Sequence, residues 1–214
     1  MISIIRKDIM SSGLKLQTIY AVILSVLSIM LFFDIVQYLV IVAYGIIIIA
    51  PLAYFGSVFN YTTLDYHKEE LMLPVKRPDI VTARYVNYLF LTGTNFILVL
   101  GFIWLYESNV TLLETSMKSA IFLTMAVGLH FGSIVLGGAF LFGHKHIKTI
   151  ILASFLLTIV PVRLLMEGIK IIMKLDGTFD AYNYPILMIL FIGGSILLYG
   201  LSFGVSLISF NQKF

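Results

Sequence analysis

Six mostly apolar runs, each near membrane length, occupy most of the chain and constrain its fold more than any other feature. They cover about residues 16–33, 35–59, 81–106, 117–142, 147–165 and 185–210. A helix needs roughly 20 apolar residues to cross a bilayer's hydrocarbon core. The expected fold is therefore an all-α polytopic membrane protein with six transmembrane helices. Of the 214 residues, 60% are hydrophobic and 12% charged, where an ordinary soluble domain is about a quarter charged. Six spans with short loops exhaust the length, so residues 1–214 read as one transmembrane domain without a second, soluble one. The chain has no cysteine, which excludes disulfides, thiolate metal sites and cysteine nucleophiles.

The N-terminus does not read as a signal peptide, because its apolar run starts late and no small-residue cleavage site follows. Ile2, Ile4, Ile5, Ile9 and Met10 alternate with Arg6, Lys7 and Asp8. That pattern fits an interfacial amphipathic helix over about residues 1–14. Only a residue or two around Asp34 separates the first two runs, so they should form a tight hairpin.

An even number of spans puts both termini on one side, and the basic residues say which. One set of flanks holds Arg6, Lys7, Lys15, Lys68, Lys76, Arg77, Arg84, Lys145, Lys148 and Lys213. The opposite flanks hold Lys118, Lys170 and Lys174 among Asp34, Glu107, Glu114, Asp176 and Asp180. The base-rich side should be cytoplasmic, with both termini inside. This bias also accounts for the net charge of +3 without any nucleic-acid partner. Gly128 and Gly132, with Gly137–Gly138, and Gly200 and Gly204, after Gly193–Gly194, carry the spacing that lets helices approach closely in lipid. Both spans are expected to pack inside the bundle or at a subunit seam.

Several chemistries are missing. No G-x-x-x-x-G-K-[ST] loop is present to hold a nucleotide, and no H-E-x-x-H to hold zinc. His144 and His146 flank Lys145 in a turn, but two imidazoles without a carboxylate or thiolate make a poor metal site. His130 and Ser133 lie three apart on the fourth span. They read as a catalytic pair or, more simply, as polar groups hydrogen-bonding across the bundle. Arg163 and Glu167 form an i, i+4 pair beyond Pro161. Arg163 stands roughly 22 Å along the helix from Lys148, near the outer interface. An amphipathic outer helix over about residues 162–174 follows, either capping the bundle or lining a substrate path as an outer gate.

The longest charge-rich stretch between two spans is Asn60–Arg84, NYTTLDYHKEELMLPVKRPDIVTAR. Asp65, Lys68, Glu69 and Glu70 beside Tyr66, Leu71, Met72 and Leu73 suit a short amphipathic helix ended by Pro74. Pro78–Asp79 then suits the first turn of the next helix, with the acid at the positive end of its dipole. Periodicity alone leaves open whether this is a rigid handle under the membrane or a solvated loop.

The run Glu70-Leu-Met-Leu-Pro-Val-Lys-Arg-Pro-Asp-Ile-Val-Thr-Ala-Arg-Tyr-Val86 resembles the cytoplasmic signature of small ABC-type exporter permeases, the type-2 membrane subunits. Leu73, Pro74, Val75, Lys76, Arg77, Asp79, Ile80, Val81, Ala83, Arg84 and Tyr85 match in place. Arg84 stands where lysine is more usual, and Pro78 replaces a commoner polar residue. Ile5-Arg-Lys-Asp8 is similar to the family's N-terminal elbow helix. The resemblance implies a permease subunit without a catalytic, cofactor or metal site of its own, in a bacterial cytoplasmic membrane. It implies a separate cytoplasmic ABC ATPase carrying ATP and Mg, and a second permease copy or paralogue. It also places a coupling helix in the region 60–80, with Glu69, Glu70, Leu71, Met72, Leu73, Pro74, Lys76 and Arg77 as the ATPase-coupling residues. The family's cargo and an aromatic-rich interior (17 Phe and 12 Tyr) favour export of amphipathic peptides, toxins or lipid-like compounds. The alternatives are an intramembrane, protease-like enzyme using His130 and Ser133, or a membrane immunity or binding protein that needs no ATPase.

Overall fold

The computed structural model describes residues 2–60, 76–110, 112–113, 115–143, 146–172 and 185–213. These form six helices: α1 (Ile2–Phe33), α2 (Leu39–Asn60), α3 (Arg77–Asn109), α4 (Thr115–Phe142), α5 (Ile147–Ile172) and α6 (Pro185–Lys213). A 3-10 turn, Val36–Tyr38, precedes α2. No strand occurs among the described residues, in keeping with the all-helical expectation.

By length and composition, three segments can cross a bilayer: Pro78–Asn109, Met117–Phe142 and Ile189–Phe210. Shorter apolar helical segments occupy Gln17–Phe33, Leu39–Ile48 and Ile147–Val160. All six fall within the apolar runs of the sequence or overlap them almost completely. The outer surface is correspondingly apolar. Phe32 is 84% exposed, Leu201 70% and Trp104 68%. Water-soluble monomers rarely carry apolar patches on that scale, whereas lipid tails solvate such residues without cost.

Helix α1 runs unbroken for 32 residues, about 48 Å at 1.5 Å per residue. The expected interfacial segment and the first span are thus one helix. Ser11, Ser12 and Gly13 lower its propensity without ending it. Helix α5 likewise continues through Pro161 to Ile172. An interior proline there removes one backbone hydrogen bond. The fifth span and most of the segment expected at 162–174 therefore share a single helix.

The hairpin between α1 and α2 turns where the sequence placed it. Asp34 takes φ 54°, a left-handed conformation that Asp tolerates better than most side chains. The Ile35 N–H donates to the Met30 carbonyl at 3.1 Å, the six-to-one bond of a Schellman cap. The Tyr106 hydroxyl of α3 donates to Asp34 Oδ1 at 2.5 Å. Helix α4 ends on Gly143, at φ 87°, whose N–H donates to the Ala139 carbonyl at 3.0 Å.

Two buried clusters divide the bundle into ends. One joins the second half of α1, the start of α2, the second half of α3 and Ile121 of α4. The other joins Ile80–Leu91 of α3, Phe131–Phe140 of α4, Ile147 of α5 and Phe210 of α6. The first end carries Asp34, Glu107 and Lys118; the second carries Lys76, Arg84, His146 and Lys148. Among the described residues, the members of the two flanks separated by counting charges thus lie at opposite ends of the bundle.

Helix α4 is its centre, packing against α2, α3, α5 and α6. Its glycines make that possible. A Cβ on Gly128 would meet the side chains of Ile47 and Thr92, one on Gly132 the ring of Tyr88, and one on Gly138 the Ile150 side chain. The glycines of α6 behave differently: a Cβ on Gly193, Gly194, Gly200 or Gly204 would meet nothing within 4 Å. The expectation of close packing is met on α4 within the chain. On α6 the opposite face, lined by serine and tyrosine, turns inward.

At the acidic end, Glu107 Oε1 pairs with Lys118 Nζ at 2.6 Å and accepts the Leu113 N–H at 3.0 Å, closing the α3–α4 turn. The pair is partly exposed. Lys118→Ala should lower the apparent melting temperature in detergent only slightly, and the difference should fade in high salt.

Candidate functional site at the root of the third helix

The coupling residues expected at Glu69, Glu70, Leu71, Met72, Leu73 and Pro74 lie outside the described residues. The chain re-enters at Lys76, which is exposed and extended, at φ −69° and ψ 141°, and N-caps α3 without a side-chain cap hydrogen bond. Arg77 is the first helical residue. Pro78 falls within the first turn, where it has no helical N–H to lose. Asp79 follows at the positive end of the helix dipole, and its N–H donates to the Lys76 carbonyl at 2.9 Å. The helix start is thus where Pro78–Asp79 placed it. Whatever the preceding segment does mechanically, it does to the first turn of α3.

From that root α3 presents one polar face to the bundle interior. Arg84, Tyr88, Thr92 and Asn95 are buried at steps of three or four residues, with Asn87 buried beside Tyr88. Asn95 Nδ2 donates to the Ile46 carbonyl at 3.1 Å. Ile46 sits just before Ile47, whose carbonyl Pro51 leaves without its usual helical donor, so α3 grips α2 beside its proline. Tyr88 is fully buried and donates to the Gly128 carbonyl of α4 at 2.6 Å.

Tyr85, about 13 Å along the helix from Lys76, makes the densest junction. Its hydroxyl lies 2.7 Å from Ser202 Oγ and 2.8 Å from Ser206 Oγ, both on α6. Its ring meets Tyr199 and Phe203 edge-on, each at 5.2 Å, and stacks on Phe140 at 6.4 Å. The Tyr199 hydroxyl donates back to the Tyr85 carbonyl at 2.7 Å. Ser202 donates to the Ser133 carbonyl of α4 at 2.6 Å, and Ser209 donates to the Phe140 carbonyl at 3.3 Å. In lipid such bonds cannot be exchanged for water, and they fix helices in register.

This junction was not legible as a site. Tyr85 entered only as one residue of a signature, and the serines not at all. The available signal was the spacing Ser195, Tyr199, Ser202, Ser206, Ser209, a four-three repeat that draws a hydroxyl stripe down one helix face.

Ser133 spends its hydroxyl on the His130 carbonyl at 2.7 Å, while the half-buried His130 imidazole hydrogen-bonds the Leu157 backbone of α5. Ser133 thus bonds within its own helix while His130 reaches across to α5, and neither bond joins hydroxyl to imidazole. Arg163 and Glu167 sit on the α5 backbone one turn apart; their side chains lie outside the described residues. Among the described residues no three of His, Asp or Glu gather as a metal-binding group.

A search of curated proteins found no match to the chain, and a search of solved structures also found none. A family model described as ABC-2 family transporter protein matches residues 3–211. The match takes in all six helices, the signature at the root of α3 and the Tyr85 junction. The chain is a multi-pass membrane protein and belongs to the ABC-2 family of transporter permeases.

Proposed function

We propose that the chain is the membrane half of an ABC exporter in a bacterial cytoplasmic membrane, driven by a separate cytoplasmic ATPase that carries ATP and Mg. Both termini and the segment 60–80 face the cytosol in this reading, and a second permease copy or paralogue completes the pathway. The observation that carries it is the family match over residues 3–211. The geometry beyond Lys76 supports it: a docking segment there would act on a helix tied into α2, α4 and α6. Glu69, Glu70, Leu71, Met72, Leu73 and Pro74, with Lys76 and Arg77, form the ATPase-docking surface. Arg163 and Glu167 mark the outer gate. The cargo is amphipathic peptides, toxins or lipid-like compounds, for which an apolar, aromatic path costs little desolvation.

A tagged chain co-expressed with the ABC ATPases of its own genome should retain one of them through detergent purification. Leu71→Asp places a charge in the centre of the docking surface. It should cut ATPase capture at least about tenfold, as loss of an interface hot spot does, while membrane insertion stays normal. Unchanged capture by Leu71→Asp and by Glu70→Lys would remove the docking surface from this segment. Capture of no ATPase by the unmodified chain would overturn the reading.

A further inference from the structure

We infer that the Tyr85 hydroxyl is a positioning group for transport: it carries displacement of α3 to α6 as a directed hydrogen-bond relay. The inference rests on the ATPase-coupling reading above.

The direction of the relay follows from what each group can donate. A carbonyl only accepts, so Ser202 must donate its one hydroxyl proton to Ser133 O. Ser202 then accepts from Tyr85. Tyr85 has thereby spent its only proton, so Ser206 donates to Tyr85. The chain runs from Ser206 to Tyr85 to Ser202 to the Ser133 carbonyl, crossing α6, α3, α6 and α4. Each link polarises the next, so each bond is stronger in the chain than it would be alone.

The geometry makes it a lock on register. Ser202 and Ser206 stand one turn apart on α6, and the single Tyr85 oxygen sits between them. Sliding α6 along its axis, or rotating it, lengthens one of the two bonds. The reciprocal bond from Tyr199 to the Tyr85 carbonyl resists the same motions from the other side. Apolar contacts provide no comparable lock, because lipid tails replace them at little cost. Above this level the hydrogen bonds of Tyr88 and Asn95 reach α4 and α2. Tyr85 is therefore where motion of the α3 root passes to α6.

The native absence of cysteine makes the test direct. Single reporters are placed at Thr82→Cys on α3 and at the exposed Ile208→Cys on α6. The permease is purified with its ATPase, reconstituted in nanodiscs, and labelled with a maleimide before and after trapping with ATP and vanadate. Trapping should change the labelling rate at both positions by at least about fivefold, the lower end of usual coupling between sites. With Tyr85→Phe, which keeps the ring packing, the Thr82→Cys change should persist and the Ile208→Cys change should collapse. Ser202→Ala should match Tyr85→Phe, and adding it to Tyr85→Phe should cause no further loss. Ser206→Ala, which cuts one end link, should leave an intermediate response. An Ile208→Cys response that survives Tyr85→Phe and Ser202→Ala overturns the relay. Loss of both reporters' responses together makes Tyr85 merely structural and also overturns it. If Thr82→Cys fails to respond in the otherwise unmodified chain, the coupling reading itself fails, and the relay falls with it.

Discussion

Gly132→Ala should be among the most damaging single-methyl changes in the bundle, lowering the apparent melting temperature in detergent by roughly 5–10 °C. The added methyl would stand far inside the van der Waals contact distance from the Tyr88 ring. Tyr88 has nowhere to retreat: it is fully buried and its hydroxyl is held by the Gly128 carbonyl. Overpacking of this kind costs about 1–3 kcal/mol. Displacing the phenol adds about 0.5–1.5 kcal/mol for the lost hydrogen bond. Adding Tyr88→Leu to Gly132→Ala should restore part of the loss, since the two sites share one contact and do not add. Gly200→Ala is the control, because its methyl meets open space; it should leave the melting temperature unchanged or raise it. Equal destabilisation by both alanines would mean that α4 does not pack against α3 as described.

Asp34→Val should loosen the acidic end of the bundle, with a cost of about 2–4 kcal/mol that combines a backbone and a side-chain effect. A β-branched residue at φ 54° meets the steric cost that keeps most side chains out of the left-handed region. The Tyr106 phenol also loses the carboxylate that accepts its proton. Two companions separate the effects. Asp34→Gly keeps the turn and loses the bond. Asp34→Asn keeps the turn and a weaker, uncharged acceptor. The expected order of melting temperatures is wild type, then Asn, then Gly, then Val. Trp104, the single tryptophan, lies two residues before Tyr106 and offers a fluorescence reporter of α3 at that end. A Val variant as stable as the Asn variant would show that the left-handed turn contributes nothing.

Much of the architecture was legible because lipid imposes simple rules. Hydropathy found the apolar helical segments, since burying twenty residues in hydrocarbon leaves little freedom of composition. Charge counting sorted the flanks into two sets whose described members lie at opposite ends of the bundle. Pro78–Asp79 marked the start of α3 through the chemistry of helix ends. The signature spanning Glu70–Val86 pointed to the family that the match over residues 3–211 establishes.

Less was legible about which faces meet. The glycine spacing of α4 and α6 looks the same in one dimension, yet α4 glycines receive Tyr88, Ile47 and Ile150 while α6 glycines face outward. Spacing states that a close approach is possible on a face; only a partner's position states that it happens. Proline was similarly ambiguous. Pro161 lies inside the apolar run 147–165, and α5 continues through it, because one missing hydrogen bond does not outweigh a turn of apolar helix on each side.

By itself the sequence determined that this chain is a helical membrane protein, where its apolar segments fall and which family it belongs to. Each of those properties is a sum over a segment or a run of residues, so it survives without knowledge of neighbours. Only the tertiary structure decided that Tyr85 joins Ser202 and Ser206 across more than a hundred residues. It also decided that Ser133 turns its hydroxyl back on its own helix and that the serine face of α6, not its glycine face, closes the bundle. Those outcomes depend on the rotation of each helix about its axis, which apolar content barely constrains in lipid and which a handful of directional hydrogen bonds then selects.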